Sequence, residues 1–139
     1  ISFSERYGAP ASLVFIDLNN FKTVNDTYGH AAGDAVLEYV AGALVEHVRE
    51  SDIVGRIGGD EFAVILAQAN EADAMEKAES LMHLIADTPL EIMGHKIGVS
   101  VSPGAVAFKP GEDAATALAR ADEAMYVAKR RRQESEKKS

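Results

Sequence analysis

The spacing of hydrophobic residues changes several times along this chain. Ser12–Asp17 (SLVFID) is a nearly continuous apolar run ending in a carboxylate, which predicts a short strand buried on both faces. Leu18–His30 reads as a short helix or turn closed by Gly29. From Ala31 to Glu50, Val36, Leu37, Val40, Leu44, Val45 and Val48 keep helical spacing, which predicts one apolar stripe on an amphipathic helix. Asp52–Ile57 and Glu61–Ala67 read as two strands of a hairpin around Gly58–Gly59. Glu71–Thr88 predicts a second amphipathic helix, stopped before Pro89. Leu90–Ser102 predicts two strands broken at Gly94–His95, and Glu112–Arg132 a last amphipathic helix with a frayed polar tail after it. At the other end, Ser4–Pro10 reads as a helix tail closed by Gly8 and stopped by Pro10.

The resulting order, β-α-α-β-β-α-β-β-α, predicts an α/β (α+β) fold. Its centre would be a mixed, largely antiparallel five-stranded sheet flanked by helices. With 139 residues, 47% of them hydrophobic, the chain suits one domain with one substantial core. We place that domain at residues 1–133 and a polar tail at 134–139. The chain opens without an initiating methionine, and we expect it to be a segment of something longer.

Charge narrows the function classes. A formal net charge of -8 argues against a nucleic-acid polymer or an anionic membrane as partner, because both demand a basic face. An anionic substrate would need a divalent cation as mediator. The absence of cysteine excludes disulfides, thiolate zinc sites and a cysteine nucleophile. No apolar run approaches the roughly 20 residues needed to span a bilayer, and no signal peptide is visible. The segment is expected to be cytoplasmic, in a full-length protein that other regions could anchor to a membrane.

Three carboxylates carry the candidate chemistry. Asp17 ends a buried strand, where α/β sheets commonly place ligands; alone, it could equally cap the next helix. Asp60 and Glu61 follow the two glycines of the hairpin. Neighbouring strand residues point to opposite faces, so at most one of the pair should look the same way as Asp17. Alone, the pair would read as a solvated acidic turn. Together the three suit a hard cation such as Mg²⁺, which takes carboxylates, waters and substrate phosphates. Gly58 and Gly59 leave room for a ligand against the backbone. No phosphate-binding P-loop, dinucleotide fingerprint or His-Glu-x-x-His pattern is present. Metal-assisted phosphoryl chemistry remains.

The segments FIDLNNFKTVNDTYGHAAGDAVL, RIGGDEFAVIL and ADEAMYVAK, in that order and spacing, resemble the GGDEF family of diguanylate cyclases from about Ala11 to Lys129. The resemblance implies a sheet and helices like those of nucleotide cyclases and polymerase palms. It implies condensation of two GTP into cyclic di-GMP with release of two pyrophosphates. It further implies Mg²⁺ or Mn²⁺ held by Asp17, Asp60, Glu61 and the Leu18 carbonyl. By the same resemblance Glu61 would bind metal or activate the attacking hydroxyl, and Asp60, Glu61 and Lys129 would be catalytic. Asn25 and Asp34 would read guanine, as an amide and a carboxylate can. Phe21 and Lys22 belong to the segment facing the phosphates, and Gly58 and Gly59 lie beside the nucleotide. Lys129 would meet the terminal phosphates. Arg49 and Asp52, with five residues between Asp52 and Gly58, match an inhibitory R-x-x-D site for cyclic di-GMP. Each also has a plain structural use: Asn25 in a turn, Asp34 in a first helical turn, Lys129 at a helix C-terminus, Arg49 and Asp52 at a helix end and in a loop. Turnover in the family requires a homodimer, and an upstream sensor or regulatory domain is the usual fusion.

Four departures stand out. Asn19 replaces the second acid of the family's D-x-D. Gln133 falls where an arginine is usual, and Arg130–Arg132 before it could substitute or could be a solvated basic tail. Pro103 sits in a strand, which should end or bulge there. The family's N-terminal segment is missing. Two rivals therefore stand beside the cyclase: a silent cyclic di-GMP receptor, and a GTP-binding regulatory module. Incubation with GTP and Mg²⁺, followed by a search for the cyclic dinucleotide, separates them.

Overall fold

A computed structural model of the chain describes residues 10–87 and 89–138. The helix tail expected over Ser4–Pro10 lies, but for Pro10, outside the described residues. The SLVFID run forms strand β1, Ala11–Leu18. It is hydrogen-bonded on both edges, to β3 (Glu61–Ala67) and to β6 (Val101–Ala107). β3 also pairs with β2 (Ile53–Arg56), and the sheet order is β2-β3-β1-β6. Every described pairing is antiparallel.

The α/β class and the helix-flanked antiparallel sheet are as expected, but among the described residues this sheet has four strands. β4 (Leu90–Ile92) and β5 (His95–Ile97) pair only with each other as a separate hairpin. The expected Leu90–Ser102 pair breaks twice, once at Met93–Gly94, where φ is 49° and 80°, and again between Ile97 and Val101. The chain beyond the second break pairs with β1 instead. Pro103 neither ends nor bulges β6. The register runs unbroken through Ser102 opposite Asp17, Pro103 opposite Ile16 and Gly104 opposite Phe15. β6 is an edge strand, so a missing N–H on its outer side costs no ladder bond.

Among the described residues four helices cover the sheet: α1 (Phe21–Tyr28), α2 (His30–Glu46), α3 (Glu71–Asp87) and α4 (Ala114–Lys138). α1 and α2 meet at Gly29, whose φ of 93° suits glycine. α3 opens with a reciprocal cap: the Asp73 N–H donates to the Asn70 side chain at 2.8 Å, and the Asn70 N–H to the Asp73 carboxylate. The parity of β1 then sorts the core. Val14, Ile16 and Leu18 pack with Phe62, Val64 and Leu66 against α2 and α3. Leu13 and Phe15 pack with Val106 against Ala117, Ala121 and Met125 of α4. Val36, Leu37, Val40 and Leu44 are buried as the periodicity predicts, but Val45 is 61% exposed. It lies about 100° around the helix from Leu44 and falls off the stripe.

α4 sits directly on β6 because position 104 has no side chain. A Cβ there would lie 2.3 Å from the Ala121 carbonyl oxygen and 2.4 Å from the Met125 nitrogen. That close approach carries the helix past the end of β1. The helix also continues to Lys138, through the tail expected to fray. Gln, Glu and Lys are good helix formers, and no glycine or proline interrupts them. No helix among the described residues is long and apolar enough to cross a membrane.

The root of α4 is tied to the end of β6 by one buried carboxylate. Glu112 accepts from Arg120 Nε at 2.7 Å and Nη2 at 2.6 Å, and from the Lys109 N–H at 3.0 Å. Arg120 Nη2 also donates to the Ala107 carbonyl at 2.7 Å. The Arg120 hydrogen bond is the main cause that holds the Glu112 carboxyl down at about 2, against an ordinary 4.5. A carboxylate depressed in the folded state stabilises above its unfolded pKa, and that stabilisation is lost as protons return. Wild type should therefore exceed Glu112→Gln in urea stability at neutral pH, with the gap closing as pH falls from 4.5 towards about 2. A gap independent of pH would contradict this assignment.

Candidate functional site

β1 delivers Asp17 to the α4 side of the sheet, and β3 delivers Glu61 directly opposite it. Facing cross-strand partners share a face, so Glu61 is the hairpin acid that looks the same way as Asp17. Asp60 lies in the turn, and its carbonyl accepts the Leu18 N–H at 3.0 Å, which ties the turn to the end of β1. Burial pushes the Asp17 carboxyl above its ordinary 3.8, and the negative charge of Asp60 pushes it further. Lys129 pulls it back, while Glu61 and Asp122 add to the rise. Asp17 thus carries the strain of a like-charge cluster with one cation beside it.

The turn itself is braced from within. The Ile57 N–H donates to the Glu61 carbonyl at 2.8 Å. Arg56 donates through Nε to the Gly58 carbonyl at 3.1 Å and through Nη2 to the Gly59 carbonyl at 2.7 Å. A Cβ on Gly58 would lie 2.5 Å from Glu61 Oε1, so glycine there lets the Glu61 carboxylate rest against the turn backbone. Gly59 faces open space. Sequence reasoning left Arg56 unassigned, although an arginine entering a carbonyl-rich turn is a readable signal.

On one flank, α1 and α2 bring Asn25 and Asp34 together. The Asn25 amide oxygen would lie 1.9 Å from a Cβ on Gly33, and the Phe21 ring 3.3 Å from it. Glycine at 33 therefore lets Asn25 rest on α2 one residue before Asp34. Asp34 lines a cavity of about 430 Å³ with Leu37, Glu38, Val54, Arg56 and Phe62. Phe21 packs against the core, and Lys22 is exposed on the first turn of α1.

On the other flank, Lys129 of α4 lines one cavity with Asp17 and a second with Asn19, Asn20, Ser100 and Ser102. Asn19 is not free to replace a lost acid. Its amide oxygen accepts from the Ser102 hydroxyl at 2.9 Å, its Nδ2 donates to Ser100 Oγ at 2.8 Å, and its N–H donates to the Ser100 carbonyl. An amide both donates and accepts, as this clamp requires.

Arg49 and Asp52 lie elsewhere. Asp52 accepts the Arg49 N–H at 2.8 Å and the Ala67 N–H at 3.0 Å, and its side chain is only 2% exposed. Arg49 donates to the Ala67 carbonyl and remains 61% exposed. Ala67 ends the strand that Glu61 begins, so the two sites are roughly 20 Å apart at the rise of an antiparallel strand. Among the described residues no three acidic or histidine side chains form a ready-made metal cage. The expected triad of carboxylates is therefore a facing pair with Asp60 beside it.

Comparison with known proteins agrees with this geometry. The family model for the diguanylate cyclase GGDEF domain matches residues 2–135. Diguanylate cyclase DosC of Escherichia coli strain K12 is 41% identical over 132 residues, covering 94% of this chain and 29% of that protein. Diguanylate cyclase DgcP of Pseudomonas aeruginosa is 37% identical over 125 residues, covering 90% of this chain and 19% of that protein. The chain thus spans less than a third of these curated relatives. Among solved structures, the GGDEF domain of DgcB from Caulobacter crescentus in complex with c-di-GMP superposes with a TM-score of 0.83 at 31% identity, covering 91% of this chain and 76% of that one. Diguanylate cyclase SiaD of Pseudomonas aeruginosa, in complex with its activator SiaC, gives 0.84 at 35% identity, covering 91% and 49%. Sequence, sheet order and the acidic hairpin agree: this chain belongs to the GGDEF domain family of diguanylate cyclases.

Proposed function

We propose that this domain condenses two GTP molecules into cyclic di-GMP, releasing two pyrophosphates. The observation that carries the reading is the register that sets Glu61 opposite Asp17, with the Asp60 turn pinned to Leu18. That acidic end lies between a cavity lined by Asp34 and another lined by Lys129.

The residues fit a hard divalent ion. All donors are oxygens, and the burial and the mutual repulsion that raise the Asp17 carboxyl are what a bound cation offsets. Two facing carboxylates with open positions suit Mg²⁺ or Mn²⁺, which take the rest of their shell from water and phosphate. Asp17, Glu61, Asp60 and the Leu18 carbonyl would hold it. Such an ion, when bound, neutralises charge on the phosphates.

This chain's own groups do the positioning. Asn25 and Asp34 hold the guanine edge, the Phe21–Lys22 segment turns backbone N–H groups to the phosphates, and Lys129 takes their charge. Gly58 and Gly59 let the nucleotide approach the turn. The 3′-hydroxyl oxygen of one GTP bonds to the α-phosphorus of the other as the bond from that phosphorus to the bridging β-phosphate oxygen breaks. Pyrophosphate leaves, and Glu61 accepts the hydroxyl proton. A second, identical step closes the ring. Each domain binds one GTP, so turnover needs two domains face to face as a homodimer, and positioning carries the rate. A segment upstream of this domain would regulate that encounter, on the cytoplasmic side where GTP is available. Product would act back through the exposed guanidinium of Arg49, with Asp52 as its buried anchor.

Three outcomes are expected. Asp60→Ala should fold normally, because one member of a like-charge cluster is removed, yet lower cyclic di-GMP formation by about 100-fold or more; near wild-type product by chromatography would contradict the role. Burial and like charge penalise ionised Asp17 from its unfolded value of 3.8 upwards, and the full penalty persists above its raised folded value. Asp17→Asn should therefore raise the melting temperature in chelator at neutral pH, while abolishing any rise on adding Mn²⁺. Arg49→Ala should lose calorimetric binding of cyclic di-GMP and leave initial rates intact; unchanged affinity removes this site.

A further inference from the structure

The two edges of the main sheet differ. β6 carries Pro103 and is buried from Val101 to Val106, and both features keep another strand away. β2 closes the opposite edge and has neither proline nor lysine. Its one charge, Arg56, is turned back onto the Gly58 and Gly59 carbonyls of its own turn. Ile53 and Ile57 stand 43% and 47% exposed along it. An open edge flanked by apolar side chains is a ready template for a further strand.

Hydrogen-bond parity decides what that edge can take. The Ile57 N–H donates to the Glu61 carbonyl of β3 at 2.8 Å, and Ile53–Arg56 keep the same register against β3. Along an antiparallel strand, residues alternate between bonding one neighbour and bonding the other. Ile53, Gly55 and Ile57 therefore turn their backbone groups to β3, while Val54 and Arg56 turn theirs outward. A new antiparallel strand meets both outward residues when Val54 of one copy lies opposite the partner's Arg56. That register is self-complementary about a two-fold axis at Gly55. It sets Ile53 opposite the partner's Ile57 on one face, with the two glycines between them. A Cβ on Gly55 would meet nothing within 4 Å, so the four isoleucines have open space in which to close over the axis. On the other face Arg56 meets the partner's Val54, and Val54 lines a cavity with Asp34 and Glu38. One cation is thus brought towards two acids on each side of the axis, in a chain whose net charge is -8.

We propose that the outer edge of β2 pairs antiparallel with β2 of a second copy of this chain, with Gly55 on the two-fold axis. So short a seam covers well under the ~800 Å² per partner of a standard interface, so the association is weak and depends on concentration. It does not rest on the cyclase reading. Strand rise and spacing set the two copies of Asp17 roughly 30 Å apart, with the Asp60 turns at opposite ends of the seam. This pairing is therefore distinct from the face-to-face encounter that turnover needs, and it withdraws domains from it.

The test uses the whole chain without nucleotide, in sedimentation velocity and oxidative cross-linking. Wild type should pass from monomer towards dimer between about 10 μM and about 1 mM. Ile53→Lys, which places a charge on the edge, should need about tenfold more protein to dimerise. It should melt within a few degrees of wild type, because the side chain it replaces is already exposed. The chain has no cysteine, so Gly55→Cys offers one thiol per copy. Directly opposed residues of a non-hydrogen-bonded pair lie about 4.5 Å apart at Cα, within disulfide range. Gly55→Cys should therefore cross-link about tenfold faster than Val127→Cys, whose thiol is exposed on α4 away from the seam. Wild type that stays monomeric up to about 1 mM overturns the proposal. So does equal dimerisation by Ile53→Lys, or equal cross-linking of the two cysteine variants. A dimer untouched by these changes uses another face and overturns it as well.

Discussion

β1 is a strand that cannot move. It is laddered on both edges and packed on both faces, so a shift of one residue would turn every core side chain towards the wrong layer. Asp17 inherits that rigidity. Placing an ionised group in a partly buried position beside other acids is unfavourable, and a flexible loop would relieve the repulsion by moving away. Here Asp17 stays because two ladders and two hydrophobic layers hold its backbone.

The surroundings of Asp17 follow from the same restraint. Glu61 faces it because β3 runs antiparallel in fixed register, and the Asp60 turn is held by the Leu18 N–H. α4 brings Lys129 because Gly104 lets helix backbone rest on strand backbone. Glu112 and Arg120 fix the angle at which that helix leaves β6. An acidic protein can accept a polyanion only through such local arrangements, since its overall field repels one. Cations at the site are therefore few, and each position matters.

Much of this was legible in the residues. The SLVFID run announced a doubly buried strand, and the two glycines before Asp60 and Glu61 announced a hairpin with ligand space. Strand parity alone implied that only one hairpin acid would share a face with Asp17, and Glu61 is that acid. Other readings missed for local reasons. Pro103 looked like a strand breaker because a sequence does not say which strand lies at an edge. Asn19 read only as a replaced acid because its partners, Ser100 and Ser102, come from a segment about 80 residues away. Asp52 read as a ligand group, and its two backbone donors became visible only in the folded chain.

The sequence by itself determined the alternation of strands and helices, the hydrophobic layers and the residue types able to hold a cation, because those depend on short-range periodicity and on side-chain chemistry. Only the tertiary structure decided which acids face one another, that the R-x-x-D pair lies at the far end of the sheet from them, and that Lys129 shares a cavity with Asp17. Those are relations between distant segments, set by strand register and by how closely one helix can approach one glycine.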